Sequence, residues 1–230
     1  MRYVLDGSVR RLGNHIRVNA QLIDGEIDAH LWAERFDGDI GALFALQNEV
    51  TSRIAVALNL EMLSVEASRP TERPDVLDYI LRGRAAGHKP PSPDRDAEVI
   101  GLYEWALALD PRSVDARSWL AVVLAGRVLN GMSESALADI EHAERLAVQA
   151  LSASPRSPLA HLAKGQVLRA QNRYDEAIPE YETVLASNRN WLLAIAALGW
   201  SKFLAGSMEE AIPLHEQAIR LSPRDPLISV

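Results

Sequence analysis

One short segment occurs twice at a fixed distance, and this spacing constrains the fold more than anything else in the chain. Asp175-Glu176-Ala177-Ile178-Pro179 returns as Glu209-Glu210-Ala211-Ile212-Pro213, an offset of 34 residues. A period of that length holds two helices and a turn, and no such hairpin can bury its apolar face alone. Neighbouring hairpins must stack, so the spacing predicts a helical solenoid. Gly165, Ala177, Tyr181 and Val184 mark one unit over 158–190; Leu198-Gly199, Gly206, Ala211, Ala218 and Pro223 mark another over 192–224. Small residues at matched positions let antiparallel helices approach closely, and a proline stops the second helix before the next begins. Ala143, Ala147, Ala150 and Pro155 mark a longer unit over 114–157. Pro111 and Pro155 are 44 residues apart, ten more than the period, and Asn130-Gly131-Met132-Ser133 is the expected place for the surplus. Tyr79, Gly83, Tyr103, Ala106 and Pro111 outline a first unit over 76–112, its helices separated by His88-Lys89-Pro90-Pro91-Ser92-Pro93. Pro179 and Pro213 are expected at early helical positions, where a missing N–H costs least.

These markers resemble the tetratricopeptide repeat over residues 76–225. The resemblance implies a concave groove lined by the first helix of each pair. At the family's groove positions this chain carries Leu159, Leu162, Gln166 and Arg169, then Leu193, Ala196, Trp200 and Phe203, with Ile80 and Arg84 in the first repeat. An apolar floor with guanidinium forks suits an extended or helical peptide bearing a carboxylate or two. The Lys and Asn pattern of the chaperone-tail carboxylate clamp is missing at these positions, which argues against an Hsp70/Hsp90 co-chaperone role.

The first third of the chain has a different period. Tyr3–Arg11 is rich in β-branched and aromatic residues; Ile16, Val18, Ala20 and Leu22 alternate with polar neighbours; Ala29–Phe36 forms a third extended run. Leu12-Gly13-Asn14 and Asp24-Gly25 supply turns, so an antiparallel three-stranded meander is expected. Leu43, Leu46, Val50, Ile54, Leu58 and Met62 then recur every three or four residues, a helix whose stripe can cover one sheet face, with Asp39 near its start as a cap. The runs Tyr3–Arg11, Ile16–Asp24 and Ala29–Asp37 resemble the second half of a TolB-like α/β domain. In bacterial signalling proteins that domain commonly joins tetratricopeptide repeats to a class III adenylate/guanylate cyclase domain or a winged-helix regulator. The expected organisation is a mainly α protein: a small α+β unit at 1–66, a linker at 67–75 marked by Pro70 and Pro74, and a solenoid of about four repeats at 76–230.

Both ends look cut. The family's α/β domain normally begins with another strand and helix, so Tyr3–Arg11 is expected to be a free sheet edge. Pro226–Val230 starts another helix and stops, so the last repeat is expected to expose its apolar face or to have it covered by another chain. Either end invites self-association, through the strand edge or the terminal repeat.

Catalytic motifs are absent from the sequence. With Cys 0 there is no thiolate site or cysteine nucleophile, and the six histidines, at 15, 30, 88, 142, 161 and 215, never recur at zinc-site spacing. Gly38-Asp39-Ile40-Gly41 lacks the Lys-Ser/Thr of a phosphate loop, and Asp94, Asp96 and Glu98 lack the glycine and distal glutamate of a calcium loop. A net charge of −7 argues against nucleic acid or an anionic membrane as partner, and no apolar run is long enough to span a bilayer. A cytoplasmic protein without enzyme activity, cofactor or metal is expected. The first functional reading is a protein- or peptide-binding scaffold of a bacterial signalling protein; the second is a regulatory segment acting on a cyclase domain.

Overall fold

The computed structural model describes residues 3–25, 28–67 and 74–222. Three antiparallel strands come first, β1 (Tyr3–Leu12), β2 (His15–Asp24) and β3 (Ala29–Asp39), in the spatial order β1-β2-β3. Gly13, at φ +61, makes the tight turn between β1 and β2. The third strand runs three residues past the expected Phe36, because residues 36–39 continue to pair with Val18 back to His15. Asp39 is therefore spent on the sheet: its side chain meets His15 Nδ1 at 2.6 Å and makes no cap hydrogen bond.

A 3-10 turn at Ile40–Ala42 leads into α1 (Leu43–Ala67). Leu46, Val50 and Ile54 pack on Ala20, Phe36, Ile16, Val18 and Trp32, so the middle of the expected stripe covers β2 and β3. Its two ends do not: Leu43 and Met62 are exposed. The reason is length. A helix of 25 residues is about 37 Å long, whereas three strands make a sheet only about 15 Å wide. The overhanging part of α1 lies against the solenoid instead, touching both its first and its last helix.

The solenoid consists of four helical hairpins: α2 (Val76–Gly87) with α3 (Pro93–Leu109), α4 (Val114–Leu129) with α5 (Ala136–Ala153), α6 (Pro158–Ala170) with α7 (Tyr174–Ser187), and α8 (Leu192–Leu204) with α9 (Met208–Leu221). The chain is thus mainly α, with a small N-terminal α+β unit. Entry into the first helices of the first three hairpins is fixed by side-chain caps. Ser113 and Ser157 accept hydrogen bonds from Ala116 N and Ala160 N, and Asp75 forms a reciprocal capping box with Asp78.

Three of the hairpins are locked by one close contact each. A Cβ added to Gly83 would stand 2.5 Å from Tyr103 Cε1, and one added to Gly165 would stand 2.6 Å from Tyr181 Cε1. Gly199 faces His215 in the same way, at 3.0 Å from Nε2. The second repeat uses another combination. Ala121 follows Ala116 by five residues as Gly165 follows Ala160, and Ala147 takes the aromatic position; both are fully buried. A glycine–aromatic pair is exchanged for two alanines, with the added bulk on one helix offset by loss on the other.

The surplus of the second repeat falls around Asn130–Ser133, where it is expected, since Ala121 and Ala143 are 22 residues apart where Gly165 and Ala177 are 12 apart. Against the third repeat, α4 has 16 residues where α6 has 13, and α5 has 18 where α7 has 14, so most of the surplus lengthens helices. Pro179 and Pro213 lie deeper than expected, each the sixth residue of its helix. Each removes one i to i−4 hydrogen bond, on an accessible side of the helix where water can reach the freed carbonyl.

The last repeat is closed in part by the chain itself. Val56 of α1 packs against Ile195, Ala218 and Leu221, and Asn190 Nδ2 donates to Ser52 Oγ at 3.2 Å. The expectation that this apolar face stands open or needs another chain is corrected to that extent, although Ile212 and Ile219 remain exposed. The expectation for Pro226–Val230 falls outside the described residues.

The close contacts separate two glycines of equal helical cost. Gly165→Ala drives a methyl into Tyr181 and is expected to destabilise by about 1–3 kcal/mol. Gly101→Ala, with nothing within 4 Å of the added carbon, is expected to stabilise by about 0.5–1 kcal/mol through helix propensity. Urea unfolding followed by far-UV circular dichroism distinguishes the two signs.

Candidate functional site

The ten groove positions divide into two sets. Ile80, Leu159, Leu162 and Gln166 are buried, the most exposed of them at 8%. They face the neighbouring first helix: α4 packs along α6, and Ile80 joins a cluster with Ala116 and Trp119 of α4. Gln166 accepts a long hydrogen bond from the Tyr181 hydroxyl at 3.4 Å. These four hold repeats together and offer almost no surface to a partner, which corrects their expected place on the groove floor. The cause is the close packing of α4 along α6, which covers positions that face a groove in outline.

The second set remains accessible. Trp200 and Phe203 on α8 are each 41% exposed and meet edge to face with ring centroids 5.8 Å apart. On its other side Trp200 stands 5.3 Å from the His215 ring, again edge to face. The Gly199–His215 contact thus supports the aromatic pair from behind. Leu193 and Ala196 lie on the same helix and are partly buried. The sequence marked Trp200 and Phe203 by their groove positions, but His215 was legible only as a residue facing a neighbouring helix.

Arg169 lies in the last turn of α6, the first helix of the preceding repeat. It lies 34 residues ahead of Phe203 and occupies the same position in its own repeat. The side chain is partly buried, and no ion pair or hydrogen bond engages its guanidinium among the described residues. Burial lowers its pKa from the usual arginine range, partly opposed by Tyr181 and Tyr174. A partly buried guanidinium without a counter-anion carries a desolvation cost, and an anionic group brought to it offsets part of that cost. Arg84 is placed differently: its guanidinium lies 5.5 Å from the Trp119 ring centroid in a cation–π contact, and its Nε has no hydrogen-bond partner among the described residues.

Charged groups elsewhere in the solenoid are committed to structure. Asp139 accepts from Arg127 Nε at 2.8 Å, from Arg127 Nη2 and from the Ser133 hydroxyl. Burial alone would raise the Asp139 carboxyl, but these hydrogen bonds and the Arg127 charge hold it below its usual value. Of the acidic trio in the first repeat, Asp94 and Glu98 are exposed while Asp96 is 2% exposed and pairs with Arg95 at 2.8 Å. Burial pushes the Asp96 carboxyl up, against the pull of Arg95 and Arg127. His161, which the sequence placed against a neighbouring helix, sits between Glu180 at 2.6 Å and the Pro155 carbonyl at 3.0 Å.

Comparison with known proteins fits this geometry. The model of the tetratricopeptide repeat family matches residues 128–190. A solved thermophilic TPR protein of Thermus thermophilus superposes with a TM-score of 0.53 at 17% identity, covering 81% of this chain and 89% of its own. That likeness shows the fold. The chain is also 33% identical over 181 residues to a protein of Rhizobium meliloti (strain 1021) named "Putative adenylate cyclase 3". The match takes in 77% of this chain and 31% of that relative's length. The hairpins thus have the fold of tetratricopeptide repeats, and residues 128–190 match that family's model. No helix among the described residues is long and apolar enough to cross a membrane.

The Arg127–Asp139 cluster yields a pH signature. Because the folded-state pKa of Asp139 is lowered, its contribution is present above about pH 4, the ordinary carboxylate range, and is lost as pH falls through the folded value. Arg127→Ala, which leaves a buried carboxylate without its charged partner, is expected to cost about 1–3 kcal/mol at neutral pH. Urea melts should show the difference between wild type and variant shrinking below about pH 4.

Proposed function

We propose that this chain is a non-catalytic interaction module that binds a partner segment bearing a carboxylate and an apolar side chain, along the last two repeats. The single observation that carries the reading is Arg169, a partly buried guanidinium with no ionic partner among the described residues, one helix away from the exposed Trp200–Phe203 pair. A carboxylate on Arg169 and an apolar group against Trp200 would satisfy both. The docking set is narrower than the sequence outlined: Arg169, Leu193, Ala196, Trp200 and Phe203, with Arg84 as an outlying cation. In this reading the protein acts in the cytoplasm and needs no cofactor, and the N-terminal unit is a TolB-like segment attached to the repeats.

The test is a titration of the chain with array-selected acidic peptides, read by tryptophan fluorescence. Arg169→Ala is expected to weaken binding about 10-fold or more, in line with a charge-assisted hydrogen bond of about 1.5–3 kcal/mol. Arg169→Lys, which keeps the charge but loses the planar fork, is expected to fall between. Undiminished affinity in Arg169→Ala would refute the reading.

A second reading rests on the rhizobial relative, whose printed name is that of a cyclase. There the matching segment would regulate the output of a cyclase domain in the same chain or in an associated one. Deleting the segment from the relative should change its cyclic-nucleotide production; unchanged production would dismiss the regulatory role while leaving peptide binding open.

A further inference from the structure

We propose that β1 is a two-fold interface through which two copies of this chain join their sheets into one six-stranded antiparallel sheet. The inference is independent of the groove and of any peptide bound there. β1 stands at one end of the order β1-β2-β3, so its outer row of backbone N–H and C=O groups meets no other strand among the described residues. It also carries apolar residues that little covers. Leu5 is 49% exposed and Val9 71%, although they pair with Leu22 and Val18 and so share the sheet face on which α1 packs. The α1 cluster takes its sheet residues from β2 and β3 alone. The apolar face therefore extends one strand beyond its cover.

The occupant is identified by the sequence of β1 itself. An antiparallel copy related by a two-fold axis at Ser8 sets Asp6 opposite Arg10 and Val4 opposite Leu12, each pair occurring twice, with Ser8 opposite its own copy. Opposite charges and paired apolar residues directly across an antiparallel pair each stabilise it, whereas like charges destabilise it. On the other face Val9 falls opposite Gly7 and Leu5 opposite the aliphatic stem of Arg11, and the two Val9 and two Leu5 side chains meet diagonally. Shifting the axis loses the charge match. Centred on Gly7 it sets Val4 against Arg10, and centred on Val9 it sets Asp6 against Leu12. The Asp6–Arg10 pairing therefore selects the register, even though the Gly7-centred alternative would set Leu5 opposite Val9. The charges are also available: Arg10 is exposed and has no ion pair among the described residues, and Asp6 accepts from Gln21 Nε2 at 2.8 Å without a cation beside it there.

The test uses the full chain, with mass measured by light scattering on a size-exclusion column over a concentration series. Wild type is expected to dimerise. Arg10→Asp alone and Asp6→Arg alone, each folded by circular dichroism, should weaken self-association at least 10-fold, because each places like charges opposite one another. Mixing the two variants should restore the dimer, since in the heterodimer both contacts between positions 6 and 10 bring opposite charges together. A wild-type monomer at every concentration would overturn the proposal, including the case in which β1 pairs with a strand of some other protein. Single variants that dimerise as well as wild type would overturn it too, because they would place the contact elsewhere, as at the last repeat.

Discussion

The architecture depends on how closely the two helices of each hairpin approach, and one pair of positions governs that distance. Where the first helix has glycine, an aromatic ring from the second helix lies against its backbone, as in Gly83–Tyr103, Gly165–Tyr181 and Gly199–His215. The ring fills the space that a side chain would take, and burial raises the pKa of both tyrosines above the normal phenol range. Everything outward from this contact follows. Small residues at 143, 150, 177, 211 and 218 continue the close packing, and all are buried. The same contact also reaches the candidate site, because His215, seated on Gly199, supports the Trp200 ring. The packing core and the docking surface are thus two sides of one helix.

A second constraint comes from α1, which does two jobs with one apolar stripe. Its middle covers β2 and β3, and Val56 farther along joins the apolar cluster of the last repeat. The Arg53–Glu34 ion pair ties the helix to β3, and the Ser52–Asn190 hydrogen bond ties it to the turn before α8. The small sheet unit is marginal by size, since three strands and one helix bury little surface. Contact of α1 with the solenoid adds to that burial and joins the unit to the repeats. Under the proposed function, a partner bound at α8 would reach the sheet through this single helix, which gives the regulatory reading a physical route.

Local signals carried most of the fold in readable form. The 34-residue offset, the Gly and Tyr markers and the Pro-Arg-Ser turns before Val114 and Pro158 all act within one hairpin, so spacing alone located the helices. The β alternation worked for the same reason, as each strand's apolar face is a property of neighbouring residues. What escaped was long-range. Leu159, Leu162 and Gln166 belong to the interior because α4 packs along α6, and no period within one repeat encodes that contact. The contact between Val56 and Ile195 crosses most of the chain, so α1 could be read as a cover for the sheet but not as a partner of the last repeat. Asp96 entered only as one of three acidic residues that fail to make a calcium loop; in the helix it is turned inward while Asp94 and Glu98 are exposed.

The central claim is that the inner ends of α6 and α8 form the docking surface. Hydrogen–deuterium exchange of the chain, with and without a bound acidic peptide, addresses it directly. Protection concentrated at the C-terminal turns of α6 and α8, around Arg169, Trp200 and Phe203, is the result this account predicts. Protection confined to the outer helices α5, α7 and α9, with α6 and α8 unchanged, would contradict it.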